Sequence, residues 1–292
     1  MDLKSEWVLH PPAKINLFLD IGPVRADGYH DIYSVFQTVG LTDKMVIRRS
    51  KKEFFLEVTG SGVPAGEDNT VHRAYREFDR LHPQIPPLRV RLEKRIPSQA
   101  GLGGGSSDAG TFLRFLWKTF VPRLDIHEVL AIAARVGSDV PFFLYGGTCL
   151  VEGRGEKVTP LPELSAKPVL IFHPTVGVST AEAYRALDQL GHRQQPSISL
   201  MLQAVETGDW SGVLEHLYNA FEQVVYPRYP EINKIHQLCK EQGYHRLHLS
   251  GSGSNLFLFD NEDHGLDKIR GLIESAIPDL KTTLTTTTGP AE

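Results

Sequence analysis

The segment best suited to chemistry is Ile96-Pro97-Ser98-Gln99-Ala100-Gly101-Leu102-Gly103-Gly104-Gly105-Ser106-Ser107-Asp108-Ala109. Four of the five residues from 101 to 105 are glycine. Backbone N–H groups without a Cβ can close on an anion, and a helix opening at the serines adds unpaired donors and partial positive charge. A polyphosphate is the natural occupant. The plainer reading is a flexible Gly/Ser loop capped by Ser106 or Ser107. Against it, this run sits between a strictly alternating strand and a strongly periodic helix. It is not a P-loop, since no Gly-Lys dipeptide occurs, and Ser106 stands where a dinucleotide fingerprint needs its third glycine. Protein-kinase signatures, a G-x-S-x-G elbow, H-E-x-x-H and C-x-x-C are all missing.

Three further groups have the right chemistry but two readings each. Lys14 lies near the start of an apolar strand, with Asn16 on the same face by the two-residue period. A snorkelling edge lysine beside a turn asparagine fits that pattern as well as a functional pair does. Asp139 precedes Val140-Pro141, where a carboxylate can cap a short turn or act as a base. Asp27-Gly28-Tyr29-His30 reads as a hairpin turn with an aromatic packed nearby, or as a ligand-binding tip. The other histidines show no ligand spacing.

The elements that must hold these groups form two patterns. Strands are expected at 14–21, 33–39, 45–49, 54–59 and 88–92, interrupted by one helix with Asn69 at its N-cap and Val71, Ala74, Tyr75, Phe78 and Leu81 as its stripe. After the glycine loop, Ala109, Phe112, Leu113, Leu116 and Phe120 form one helical face. Asp125-x-x-Glu128 opens another helix that stops at Gly137. A strand near 147–152 closes this unit, and Pro160–Lys167 reads as a connection. Beyond it come a strand at 168–172, a helix opened by Ser179-x-x-Glu182, and helices near 198–206, 210–225 and 231–242. Strands at 246–250 and 255–260, a helix at 263–275 and a Thr-rich final strand follow. Strands and helices that do not alternate regularly indicate an α+β fold.

Composition narrows the class. The chain has 292 residues, 41% hydrophobic and 23% charged, enough for about two domains with ordinary cores. Thirty-one basic against 35 acidic residues give a net charge of −4, which argues against a general nucleic-acid binder. No apolar run approaches the roughly 18 residues of a membrane span, and the acidic start is unlike a signal peptide. Cys149 and Cys239 lie far apart in apolar segments and read as buried free thiols, which suits the cytoplasm.

Pro97-x-x-x-Gly101-Leu102-Gly103-Gly104-Gly105-Ser106-Ser107 resembles the ATP loop of the GHMP kinase superfamily. Pro12-Ala13-Lys14-Ile15-Asn16-Leu17, Arg25-Ala26-Asp27-Gly28-Tyr29-His30 and Gly137-Ser138-Asp139-Val140-Pro141-Phe142-Phe143 carry the likeness over nearly the whole chain. The third glycine motif matches Leu249–Gly253, followed here by Ser254-Asn255 in place of small or proline residues. The resemblance implies a two-domain fold, with an N-terminal domain like ribosomal protein S5 domain 2 over 1–160 and a ferredoxin-like domain over 161–292. It implies transfer of phosphate from ATP, with Mg²⁺, to the 2-hydroxyl of a cytidylyl sugar alcohol. Lys14 and Asp139 would be catalytic. Residues 97–107, from Pro97 through Ser98, Gln99, Ala100 and the glycines to Ser106 and Ser107, would hold the nucleotide, with Asn69 and Lys94 on the adenine side. Asn16, Tyr29, His30, Thr180 and Tyr184 would meet the acceptor, with Tyr29 and Tyr184 about its base. Ser107 is the candidate metal ligand. Partners would be these small molecules only, without nucleic acid or membrane, in a monomer or weak homodimer. Homoserine and mevalonate kinases are the alternatives within the superfamily. An RNA-binding module of S5-like fold is the alternative outside it.

Overall fold

A long hairpin carries Lys14 and organises the chain. The computed structural model describes residues 6–60, 63–98, 100–190, 196–260 and 265–291. In it β1 (Trp7–Leu9) leads into β2 (Pro12–Val24), and β3 (His30–Thr42) returns antiparallel, with Lys14 opposite Thr38 and Asn16 opposite Phe36. Asp27 closes the turn between them by accepting from Tyr29 N–H at 3.1 Å, while Gly28 supplies the left-handed residue at φ +80°. β4 (Lys44–Arg49), β5 (Phe55–Thr59), α1 (Thr70–Leu81) and β6 (Leu88–Glu93) follow. Next come α2 (Gly104–Phe120), α3 (Ile126–Val136), α4 (Phe142–Tyr145), β7 (Thr148–Gly153) and β8 (Lys157–Pro160). The later half holds β9 (Pro168–His173), α5 (Thr180–Asp188), α6 (Ile198–Glu206), α7 (Trp210–Glu215), β10 (Tyr218–Asn219), α8 (Glu222–Arg228) and α9 (Pro230–Glu241). It ends with β11 (Leu247–Leu249), β12 (Leu256–Leu258), α10 (Leu266–Ala276) and β13 (Lys281–Thr286).

The strands make three sheets, in the orders β1-β4-β6-β5, β10-β2-β3-β7-β8 and β11-β12-β9-β13. One apolar cluster lies wholly among residues 45–144, where the stripes of α1, α2 and α3 meet β4 and β6. A second joins Ala13, Ile15 and Leu17 of the hairpin to Val169, Met201 and Phe257. The third joins Phe36, Phe142 and Cys149 to Leu170, Leu256 and Phe221. Two of the three cores are therefore shared across residue 160. The chain's end also returns: Thr288 N–H donates to Thr38 O at 2.9 Å and Ala291 N–H to Tyr145 O at 2.7 Å.

The sequence reading of elements needs correction at several points. The helix expected over 210–225 is broken. Tyr218 and Asn219 instead pair in parallel with Phe18 and Leu19, and Asn219 spends its side-chain donor on Leu249 O and Gly251 O, both at 2.8 Å. Tertiary hydrogen bonds outweigh a weak helical preference there. The chain before the connection also forms an extra strand, β8, antiparallel to β7. The helix expected from 263 begins at Leu266, with 263 and 264 outside the described residues. Cys149 and Cys239 are buried free thiols, and burial pushes both up to about 12.

Candidate active site

A cavity of about 1140 Å³ lies where the first and third sheets' loops meet the hairpin. Its floor is the glycine run. Gly103 sits at φ +69° as the N-cap of α2, and no side chain caps that helix. Ser107 N–H makes the first helical bond, to Gly103 O at 2.8 Å, so the N–H groups of Gly104, Gly105 and Ser106 have no acceptor within the helix. All three residues line the cavity, as do Ser98, Ala100, Gly101 and Gly103. A Cβ on Gly103 would lie 3.0 Å from Phe143 Cζ and 3.1 Å from Lys14 Cγ. The run thus presents bare donors and helix-dipole charge to one space, suited to phosphate oxygens. Leu102 is buried behind it, Pro97 and Ser107 are not in its wall, and Gln99 lies outside the described residues.

Lys14 and Asp139 line the same cavity. Lys14 is buried, donates to Asn16 Oδ1 at 2.7 Å and sits 4.5 Å over the Phe36 ring. Burial lowers its pKa, and the nearby charge of Asp139 opposes that shift. Asn16 is held in turn: Gly251 N–H donates to its Oδ1 at 2.8 Å, and its Nδ2 donates to Ser34 Oγ at 3.0 Å. Lys14 therefore belongs to a fixed buried network and is not an edge lysine. Asp139 is no helix cap either, because α4 starts after Pro141 without a side-chain cap bond. The turn between β7 and β8 covers it, such that a Cβ on Gly155 would lie 3.4 Å from Asp139 Oδ1.

At the far side of the loop, Lys94 is clamped between two carboxylates. Its Nζ contacts Asp43 and lies 2.6 Å from Asp108 Oδ2, all three residues being buried. Burial, with the Asp43 charge adding, pushes the Asp108 carboxyl well above the usual range, and Lys94 opposes it. Asn69 caps α1 by accepting from Val71 N–H at 2.9 Å and donates to Pro64 O at 2.8 Å. Both candidates for the adenine side thus line the cavity with their polar atoms already engaged. Sequence reasoning missed Asp43 and Asp108. Asp43 is the lone residue between β3 and β4, and Asp108 looks like any acid in a helix's early turns.

Among the described residues no cluster of three or more His, Cys, Asp or Glu side chains could hold a metal. The Ser107 hydroxyl and Asp108 Oδ1 are buried with no hydrogen-bond partner among the described residues. These atoms fit at most one or two ligand positions of an ion that arrives on phosphates, which is how Mg²⁺ usually binds.

The third stretch of the wall is aromatic. Tyr184 packs edge-on to Phe221 at 4.9 Å and stacks on His30 at 4.9 Å. Burial first, then the charge of Asp139, pushes its hydroxyl up to about 12. His30 Nδ1 donates to Gly22 O at 2.9 Å, leaving Nε2 3.5 Å from Asp188. Thr180 shares a 2.8 Å hydrogen bond with Ser252. Neither Tyr29 nor His30 lines the cavity itself, and His30 meets the wall only through its stack on Tyr184. Tyr29 is 53% exposed, with the Arg154 guanidinium 3.7 Å from its ring centroid, and one face of Tyr184 is taken by His30. The Asp27 turn projects Tyr29 outward, so the two tyrosines do not form a preassembled sandwich.

Comparison with known proteins adds a second line of evidence. The profile of the GHMP kinases N terminal domain matches residues 69–147, and that of the GHMP kinases C terminal matches residues 201–275. The chain is 41% identical to a 4-diphosphocytidyl-2-C-methyl-D-erythritol kinase of Thermotoga maritima, over 87% of this chain and 92% of the relative. It is 35% identical to the enzyme of the same name from Exiguobacterium sibiricum, over 90% and 92%. A crystal structure of 4-(cytidine 5'-diphospho)-2C-methyl-D-erythritol kinase superposes with a TM-score of 0.79 and 31% identity, covering 97% of this chain and all of the other.

Proposed function

Because the chain belongs to the 4-diphosphocytidyl-2-C-methyl-D-erythritol kinases of the GHMP kinase family, we propose that it transfers the γ-phosphoryl group of ATP to the 2-hydroxyl of 4-diphosphocytidyl-2-C-methyl-D-erythritol. This is a step of non-mevalonate isoprenoid precursor biosynthesis. The observation that carries the reading is the shared lining of this one cavity. It joins a glycine cradle, a buried lysine, a carboxylate and an aromatic wall within one volume large enough for two substrates.

Phosphoryl transfer needs positioning and charge neutralisation more than covalent help. Gly101 and Gly103–Ser106 hold the phosphates through backbone N–H groups, and the nucleoside lies toward Asn69 and Lys94. Asp139 orients the acceptor hydroxyl and takes its proton as the oxygen–phosphorus bond forms, and ADP leaves with the electrons of the broken bond. Lys14, fixed by Asn16, keeps positive charge between Asp139 and the transferring group. Ser107 is the candidate protein ligand for an Mg²⁺ that would come with the nucleotide and would supply further charge neutralisation. Tyr184, His30 and Thr180 hold the cytidylyl end of the acceptor, and Tyr29 closes over it from outside.

Residues 1–160 act as the ATP-binding domain and 161–292 as its partner domain. The protein works in the cytoplasm as a monomer or weak homodimer without nucleic acid, a reading supported by its net charge of −4. Among the described residues no helix is long and apolar enough to cross a membrane. Coupled ADP release with a panel of alcohols tests the assignment. Turnover should require the cytidylyl erythritol, and turnover of homoserine or mevalonate instead would reassign the enzyme within the family.

A further inference from the structure

A residue outside the glycine loop is hydrogen-bonded to its backbone. Asn255, 1% exposed, follows the turn Ser250–Ser254 and leads into β12. Its Nδ2 donates to Ala100 O at 2.7 Å, and its backbone N–H donates to the same oxygen at 3.3 Å. A carbonyl can only accept, so this contact fixes the amide orientation and turns Asn255 Oδ1 toward His173. His173 Nδ1 lies 2.8 Å from that oxygen and must carry the proton. Its other nitrogen lies 2.9 Å from Thr283 Oγ1 on β13. Burial lowers the His173 pKa, with Lys281 adding and the Asn255 bond opposing. The neutral ring satisfies both contacts, accepting at Nε2 from the threonine hydroxyl.

The consequence follows from peptide geometry. In a trans peptide the C=O of one residue and the N–H of the next point in opposite directions. With Ala100 O tied to Asn255 behind the loop, the Gly101 N–H points the other way. Ala100 and Gly101 line the cavity and Asn255 does not, so that direction is the cavity side. The neighbouring carbonyls are tethered in the same manner. Gly101 O accepts from Ser250 Oγ at 2.8 Å, and Leu102 O accepts from Lys14 N–H at 3.0 Å. Gly101 has no room for a side chain, since a Cβ would lie 1.9 Å from Ser250 O.

We propose that Asn255 is a positioning residue for the phosphoryl donor: its amide, oriented by His173, fixes the Ala100–Gly101 peptide so that a backbone donor faces the phosphates and a carbonyl does not. A loop free to flip that peptide would present an oxygen to an anion. The inference rests on the cavity floor being the ATP cradle.

Steady-state kinetics of Asn255→Ala, Asn255→Asp, His173→Phe and the double variant Asn255→Ala/His173→Phe test it, with ATP and acceptor varied separately. Asn255→Ala and Asn255→Asp should each raise the KM for ATP roughly 5- to 10-fold, the worth of one buried hydrogen bond. The acceptor KM should stay within about twofold, because the side-chain hydrogen bonds of Asn255 run to Ala100 and His173. His173→Phe should raise the KM for ATP by a smaller factor, and the double variant should match Asn255→Ala alone, since His173 acts through the amide. Equal changes in both KM values, no change in either, or effects that multiply would overturn the proposal and leave Asn255 a packing residue. If both Asn255 variants fail to fold, His173→Phe decides by the same split between the two KM values. Unchanged KM for ATP with normal wild-type turnover sinks this inference alone, whereas a wild type that releases no ADP overturns the functional reading as well.

Discussion

The two ends of the cavity are built differently. At the donor end the contacts are backbone groups with tethered partners: Lys14 N–H holds Leu102 O, and Thr70 Oγ1 donates to Gly105 O at 2.7 Å. The buried Lys94–Asp43–Asp108 cluster ties the start of α2 to the junction of β3 and β4. At the acceptor end the contacts are side chains that lean on one another, His30 on Tyr184 and Arg154 on an exposed Tyr29. The donor end is preorganised for a polyanion common to many kinases. The acceptor end leaves parts to be arranged by the ligand, which is where a specific alcohol would be selected.

The largest effect should come from the group between the two ends. Asp139→Asn removes the proton acceptor while keeping size, and kcat should fall at least ~10²-fold with ATP affinity little changed. Near-normal turnover would remove Asp139 from the chemistry. Next, Gly103→Val places a β-branched residue at φ +69° beside Phe143 and Lys14. Calorimetry should show ATP binding weakened roughly 10- to 100-fold, from ~1–3 kcal/mol of strain and lost cradle contacts. Unchanged affinity would mean that the donor end is not the cradle.

Tyr184→Leu should raise the acceptor KM about 10-fold, the lower part of the ~1–3 kcal/mol range for stacking on a base. Tyr29→Leu should raise it less, about 2- to 3-fold, because that ring must first leave its place under Arg154. A reversed order would show that Tyr29, and not Tyr184, forms the permanent wall. The smallest effect concerns Lys14. Its lowered pKa means the ammonium is lost below the ordinary 10.5, so the alkaline limb of kcat/KM should fall below that pH. Stability carries the opposite sign: between the folded and unfolded pKa values the unfolded chain binds more protons, so wild type should gain stability relative to Lys14→Met as pH rises. Parallel stability curves for the two proteins would contradict the burial of a charged Lys14.

Much of this was legible in the sequence because it depends on short-range pattern. The glycines of 101–105, the caps Asn69, Asp125 and Ser179, and the stripe of α2 all announce themselves within a few residues. What was not legible depends on residues brought together from far apart. Lys94 reads as the end of a strand until Asp43 and Asp108 reach it, 51 and 14 residues away in sequence. Tyr218-Asn219 reads as helix until β2 supplies a partner strand. Asn255 stood out only as a departure from the family's pattern, and its contacts with Ala100 and His173 span 155 and 82 residues. Tyr29 was placed on the ligand by its motif, while its exposure beneath Arg154 follows from a turn and a cation–π contact that no motif encodes.

The central claim is that one cavity brings ATP and the cytidylyl alcohol together, so that phosphate passes directly between them at Asp139. Phosphorus-31 NMR of wild-type enzyme with ATP and 4-diphosphocytidyl-2-C-methyl-D-erythritol tests this most directly. The account predicts one new phosphomonoester resonance, assigned by its coupling to the erythritol 2-position, growing in step with ADP. ADP appearing with inorganic phosphate alone, or a phosphomonoester on another hydroxyl, would contradict it.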